Sequence, residues 1–343
     1  MHLFIQEQLR ATHGIIANNW YDRSTKIDVN CVGDSTQKPV GTDVGGLVSP
    51  LRLLSTTITD ESKLATQKKS RVIGVSIKDR GAVLPGGHMP DGAYWYDNKT
   101  GSMITSTYYK QQLPDWVAKF NARKLPDTYL TQEWNTLLPI NQYVESGPDD
   151  SPYEGKWSGK TTPTFPYNLT ELRKKMGVYS LLTMTPWGNT IVADFAKAAV
   201  LAEGMGKDGV TDFLAVSFSS TDIIGHAMGP NAIEVEDTYL RLDKTLEDLF
   251  NFLDKEVGAG AYTVFLTSDH GVAEVPQKLI DNNIPAGYFK PTLVKTGLNE
   301  HLQKYFPGKT IVEQFTSEQV YINHQAFEGD QRHRVSIYLW PPN

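Results

Sequence analysis

Three short apolar runs, each ending in a cluster of polar side chains with chemical potential, constrain this chain most. They are Arg71–Ile77 (RVIGVSI), leading into Lys78, Asp79 and Arg80; Asp212–Phe218 (DFLAVSF), leading into Ser219, Ser220, Thr221 and Asp222; and Tyr262–Thr267 (YTVFLT), leading into Ser268, Asp269 and His270. Runs this short, continuously apolar and rich in β-branched residues read as strands covered on both faces, the pattern of parallel sheets. Helical periodicity fills the intervals. Thr190–Glu203 carries apolar residues at three- and four-residue spacings and stops near Gly204. Asn231–Val257 carries a longer stripe through Tyr239, Leu242, Leu246 and Leu249, behind the stop-and-cap signal Gly229-Pro230-Asn231. The alternation predicts an α/β fold, a mostly parallel sheet sandwiched by helices. Ligands of such sheets bind beyond the carboxyl ends of the strands, and all three polar clusters fall at that edge.

At 343 residues the chain exceeds the usual single domain, so one large domain with insertions or two domains are both expected. Residues 11–84 and 181–275 read as the α/β core. Residues 85–180 change character: Pro, Gly, Asn and Thr are frequent, and aromatics such as Tyr94, Trp95, Tyr96, Trp134, Trp157 and Tyr167 crowd together. This is an inserted region, either a cap over the site or a piece with its own aromatic core. Residues 276–343 are loosely patterned and read as a second insertion of mixed structure, with an atypical end from Arg332 to Asn343.

A net charge of −6 argues against general nucleic-acid binding, which needs a basic footprint. The single cysteine, Cys31, allows no intramolecular disulfide and no multi-thiolate metal site. No apolar run reaches the roughly 18 residues that a membrane helix requires. The first residues, MHLFIQEQLRATHG, lack the basic start and apolar stretch of a signal peptide.

The strongest chemical signal is Asp222-x-x-x-His226 paired with Asp269-His270. Carboxylate oxygens and imidazole nitrogens suit Zn²⁺, and two metals about 3.5–4 Å apart can hold the attacking and leaving oxygens of an in-line displacement. Each motif alone is weak, since an isolated Ser-Asp-His-Gly is also what a turn with a capping aspartate looks like. Both motifs following buried strands, with a helix between, is a much rarer coincidence.

Ser220-Thr221-Asp222-Ile223-Ile224-Gly225-His226 and Thr267-Ser268-Asp269-His270-Gly271 resemble the metal-binding motifs of the alkaline phosphatase superfamily. The likeness is nearest to its single-domain threonine-nucleophile phosphatases and to its type I phosphodiesterase/nucleotide pyrophosphatase relatives. It runs from about Thr12 to about Phe327. It implies that Asp222 and His226 bind one zinc ion and that Asp269 and His270 bind the other. Thr12–Trp20 (THGIIANNW) is similar to the stretch whose asparagine contacts a phosphoryl oxygen, a role that falls on Asn18, with Asn19 second. His13 is then structural, orienting that turn. Lys78-Asp79-Arg80 resembles the Lys-x-Arg pair of the monoesterase branch. A monoester needs such cations, because its transition state spreads charge over three equatorial oxygens. Without the resemblance, the same triplet reads as a solvated basic turn. Cys31-Val32-Gly33-Asp34 does not fit the sulfatase signature.

The resemblance also implies six metal ligands and a threonine nucleophile, of which this chain shows four ligands. The family places the threonine and one aspartate upstream of Met1 and a last histidine beyond Asn343. The expectation is therefore a fragment of a zinc-dependent phosphate monoesterase that works through a phosphothreonine intermediate. It lacks the first strand and the C-terminal part, and it is inactive by itself. Its partner would be a small phosphorylated substrate, and its location periplasmic or secreted. Two other expectations stand beside it: a phosphodiesterase or nucleotide pyrophosphatase on the same scaffold, and a non-catalytic phosphate binder. His2, His88, His301, His324 and His333 have no partner at ligand spacing.

Overall fold

The computed structural model describes residues 10–327; the N-terminal stretch before Arg10 with His2, and the end with His333 and Arg332–Asn343, lie outside the described residues. The described residues divide into two compact units, one of residues 10–14 and 32–284, the other of residues 15–31 and 285–327.

The larger unit is built on a five-stranded sheet. In chain order its strands are β1 (Pro39–Val40), β2 (Val72–Ser76), β3 (Gly92–Asp97), β4 (Ser102–Ser106) and β5 (Phe213–Ser217), and their spatial order is β1-β4-β3-β2-β5. β2 lies between β3 and β5 and runs parallel to both. The β3–β4 and β4–β1 pairs are antiparallel. The α/β expectation is met, with a mixed sheet in place of a mostly parallel one. The antiparallel part comes from the aromatic region: the Gly92–Asp97/Ser102–Ser106 hairpin adds to the sheet, so the expected boundary near residue 84 falls inside the fold. Every residue of β2 and β3 is buried, as their continuous apolar runs require.

Helices cover the sheet. α1 (Trp187–Glu203) and α2 (Ile233–Leu253) match the two periodic stretches, with α3 (Ser220–Met228) placed before α2 in the chain. The cap signal works differently from its reading. Gly229, at φ +90°, ends α3, and its N–H returns to Gly225 O. Asn231 does not cap α2; its amide donates to both Glu274 oxygens, at 2.7 and 2.8 Å. A two-pronged charge-assisted pair outweighs one capping bond.

One core runs through this unit. Ile73 and Val75 of the sheet join Ile191, Val192 and Phe195 of α1 and the aromatics Tyr94, Trp134, Trp157 and Tyr167. Phe195 is fully buried with Tyr94, Trp116 and Phe120 around it, at ring-centroid distances of 5.3, 4.9 and 4.9 Å. The aromatics of residues 85–180 are thus part of the main core and form no separate one.

The third expected strand is corrected. Tyr262–Thr267 belongs to no strand, and Val264, Phe265 and Leu266 are exposed at 46, 85 and 71%. An apolar run becomes a strand only where a neighbour accepts its backbone hydrogen bonds. Among the described residues no such neighbour pairs with it.

The smaller unit holds two antiparallel hairpins, Asn19–Asp22 with Ile27–Asn30 and Val312–Thr316 with Gln319–Ile322, and the helix Pro291–Leu302. Its small core contains Leu302, Ile311, Val312 and Phe327. Among the described residues no helix is long and apolar enough to cross a membrane.

Candidate functional site

Because β2 and β5 run parallel in register, Ser76 opposite Ser217, their carboxyl ends open on the same edge of the sheet. β2 leads through Ile77 to Lys78, the residue before the helix Asp79–Gly86. The Ser76 hydroxyl receives the Lys78 N–H at 3.0 Å, fixing where this turn begins. β5 leads into Ser219, the residue before α3, and Asp222 follows in the first turn of α3, with His226 one turn later on the same face.

Asp222 is the meeting point. The Lys78 ammonium donates to Asp222 Oδ2. Asp222 Oδ1 lies 3.3 Å from His226 Nε2 and 3.6 Å from His270 Nε2, and His270 Nε2 is 3.8 Å from Asp269 Oδ2. Burial would raise the Asp222 carboxyl, but the Lys78 hydrogen bond and charge, with His226 and His270 alongside, hold it below the ordinary carboxylate value. The four residues read as ligands and Lys78 therefore share one place, although Asp269 and His270 arrive on an exposed segment outside the sheet. The Asn231–Glu274 contact tethers that segment to the loop after His226. Glu274 also receives the Lys278 ammonium at 2.9 Å, which fixes the tether from its far side.

Arg80 is half-buried on the helix that follows Lys78, and its guanidinium makes no ion pair among the described residues. Asn18 and Asn19 belong to the smaller unit. Asn18 is an exposed bend residue whose carbonyl accepts from Cys31 N at 2.9 Å, while Asn19 Oδ1 accepts from Asn30 Nδ2 at 3.0 Å. His13, in the larger unit, is buried, and its carbonyl accepts from Leu54 N.

Sequence reading missed the floor of the site. Asn189, buried in α1, accepts the Ser220 N–H on its side-chain oxygen at 3.1 Å, and Ser76 and Ser219 hydroxyls lie 3.4 Å apart. The signal for Asn189 is a lone amide on an otherwise apolar helix face; the serines give no signal. His88 was also undervalued: its ring bridges buried Asp60 at 3.0 Å and Leu53 O at 2.9 Å. The aromatic region reaches the site as well, since Gly155 N donates to Ala227 O, next to His226, and Gly147 N to Asn231 O.

Two carboxylates and two imidazoles are donors that suit a divalent cation, but the set is incomplete. Catalytic zinc takes three protein ligands, while each motif here brings two, and among the described residues no three His, Cys, Asp or Glu side chains converge in a metal-holding arrangement. The donor types fit; their number falls short.

The chain is 55% identical over 278 residues to alkaline phosphatase PhoV of Synechococcus elongatus, covering 81% of this chain and 50% of that protein. It is 47% identical over 317 residues to alkaline phosphatase PafA of Elizabethkingia meningoseptica, covering 92% of this chain and 58% of that protein. The crystal structure of wild-type PafA superposes with a TM-score of 0.90 at 46% identity, covering 95% of this chain and 62% of that one, so the fold is that of these phosphatases. The chain thus spans little more than half the length of the relatives it matches. Over residues 10–327 it matches the family model of type I phosphodiesterases and nucleotide pyrophosphatases, and it is a member of that family.

Proposed function

We propose that this chain is the larger part of a metal-dependent phosphate monoesterase and that residues 1–343 alone are inactive. The observation that carries this reading is the convergence on Asp222 of Lys78, His226 and His270. Asp222 and His226 would hold one zinc ion and Asp269 and His270 a second. When bound, such ions supply Lewis acidity toward a phosphoryl oxygen. Lys78 and Arg80 would supply donors for the equatorial oxygens of the transferring group, Lys78 as a point charge and Arg80 as a planar fork. The resemblance implies a threonine nucleophile, and hence a phosphothreonine intermediate, with further ligands completing each metal shell. The whole protein would be periplasmic or secreted, and its substrate a small phosphorylated molecule.

The family model also names phosphodiesterases and nucleotide pyrophosphatases. The Lys78 ammonium and the Arg80 guanidinium at the site favour the monoester, which carries one more non-bridging charge than a diester. The test uses residues 1–343 joined at the corresponding ends to the portions of the Elizabethkingia phosphatase outside the matched span. With zinc, p-nitrophenyl phosphate is expected to turn over at least tenfold faster than its methyl ester, and Asp222→Ala is expected to abolish both. Preference for the diester supports the phosphodiesterase reading instead. Zinc-independent phosphate binding lost on Lys78→Ala, with no turnover, supports a phosphate binder. Turnover by residues 1–343 alone, lost on Asp269→Ala, would end the claim of inactivity.

A further inference from the structure

We propose that Asn189 of α1 is a positioning residue: its side-chain oxygen caps α3 from a neighbouring helix and so sets where the Asp222 carboxylate stands relative to the Lys78 ammonium. The first N–H groups of a helix have no partner within it, and the side chain of the residue before the helix commonly accepts one of them. Ser219 holds that place before α3 but makes no side-chain capping bond. The acceptor comes instead from α1, where Asn189 Oδ1 receives the Ser220 N–H at 3.1 Å. Asp222 lies in the same first turn, so the bond that holds Ser220 also holds the backbone of Asp222.

Stability does not account for an amide at this position. Asn189 heads a stripe of α1 whose next members, Val192, Ala193, Ala196 and Val200, are apolar and at most 2% exposed. Asn189 is as deeply buried as they are, and its Nδ2, like the buried Ser220 Oγ, has no hydrogen-bond partner among the described residues. Burying a half-satisfied amide costs free energy that an apolar side chain in the same stripe does not. The packing around the bond is specific as well. A Cβ on Gly188 would clash with Ser220 Oγ, so glycine is what lets the first turns of α1 and α3 approach this closely. Lys78 starts from the same floor. Ser76 Oγ accepts its N–H at 3.0 Å and lies 3.4 Å from Ser219 Oγ, and a Cβ on Gly81 would run into that Ser76 hydroxyl. Both partners of the Lys78–Asp222 bond therefore leave from adjacent serines, and Asn189 ties the Asp222 half to α1.

The inference rests on reading Lys78 and Asp222 as the phosphate site, and a chemical readout separates the two. An ammonium held by a carboxylate is acetylated more slowly by an N-hydroxysuccinimide ester than one released to water. The rate at Lys78 is read by mass spectrometry in residues 1–343, with the exposed Lys174 as internal reference. Asn189→Leu keeps the bulk and removes the acceptor. It is expected to speed Lys78 acetylation by about threefold, the scale of a part-exposed ion pair, toward the rate of Asp222→Ala. Asn189→Asp keeps an oxygen in place and should hold the native rate. Asn189→Ala also lacks the acceptor and serves should the leucine disturb folding. An unchanged Lys78 rate in the leucine and alanine variants would overturn the inference even with a lowered melting temperature, because a helix cap alone costs stability and leaves the pair intact. Equal acceleration by Asn189→Asp and Asn189→Leu would overturn it too, since the oxygen would then be irrelevant. In the chain joined to the Elizabethkingia portions, Asn189→Leu should lower turnover by about tenfold or more at saturating zinc, and full turnover would overturn the inference. Faster Lys78 acetylation in Asn189→Leu beside a joined parent chain without turnover upholds the positioning role and refutes the catalytic reading.

Discussion

The Lys78 ammonium is hydrogen-bonded to Asp222 Oδ2, while the other oxygen of the same carboxylate faces His226 and His270. A cation already occupies half of the residue read as a metal ligand. Lysine and a divalent ion must compete for that carboxylate. Lys78→Ala is therefore expected to tighten zinc binding to residues 1–343 by about tenfold, about 1.4 kcal/mol, while weakening phosphate binding. Titration calorimetry with each ligand in turn checks the opposed signs; zinc affinity unchanged or lowered by the substitution would show that the pair does not compete.

Asp237 is fully buried and collects four donors: Trp134 Nε1 at 2.7 Å, Leu137 N at 2.6 Å, Tyr143 OH at 2.5 Å and Arg241 Nε at 2.6 Å. It ties the aromatic region to α2. Removing it strands a half-buried cation and several buried donors, which typically costs about 3–5 kcal/mol. Asp237→Ala should lower the melting temperature by about 10 °C, and differential scanning calorimetry should show the loss in the larger unit's transition. A drop under about 2 °C would mean that water replaces the carboxylate at little cost.

Phe195 projects from α1 into the ring cluster of Tyr94, Trp116 and Phe120. Truncating a fully buried phenylalanine costs about 3–5 kcal/mol in lost transfer energy and cavity formation. Phe195→Ala should destabilise the chain about as much as Asp237→Ala, and Phe195→Leu by less than half of that. Urea denaturation with unchanged m-values tests this; equal losses for both substitutions would argue that the cavity is not the cause.

How legible each part was depended on where its determinants lay. β2, α1 and α2 were readable because local periodicity and burial agree. The site motifs were readable because metal-suited residues follow strand ends, where such folds place ligands. Tyr262–Thr267 has the same local pattern as β5 but is no strand, because pairing depends on a neighbour and no window of its own sequence encodes one. The aromatic region reads as an insertion for the converse reason: β3 joins the sheet by pairing with Ile73 and Val75 of β2, and β4 by its hairpin with β3, pairings that no local periodicity shows. Asn189 and Ser76 were invisible because their role is a hydrogen bond to a turn fixed only in the fold.

Glu154 supplies the pH prediction. It sits in the aromatic region one residue before Gly155, which is bonded to Ala227, and one of its carboxyl oxygens is buried without a hydrogen-bond partner. Burial, then the neighbouring charges of Glu234, Asp149 and Asp150, push its carboxyl up to about 8. Glu234 is fully buried, accepts the Tyr167 hydroxyl, and is likewise raised, to about 7, chiefly by burial. The unfolded chain releases these protons near the ordinary glutamate value of 4.5. From there up to about 8 the folded state binds more protons than the unfolded one, so stability falls as pH rises through this window. Below it the contribution is fully present; above it the contribution is lost, because the folded protein must hold two buried, mutually repelling carboxylates. Glu154→Gln removes one of them and keeps the shape. Between pH 5 and 9 the melting temperature of the native chain should fall by roughly 2–4 °C more than that of Glu154→Gln, with the difference opening between about pH 5 and 8. Parallel pH profiles would instead mean that water reaches Glu154 and solvates its charge.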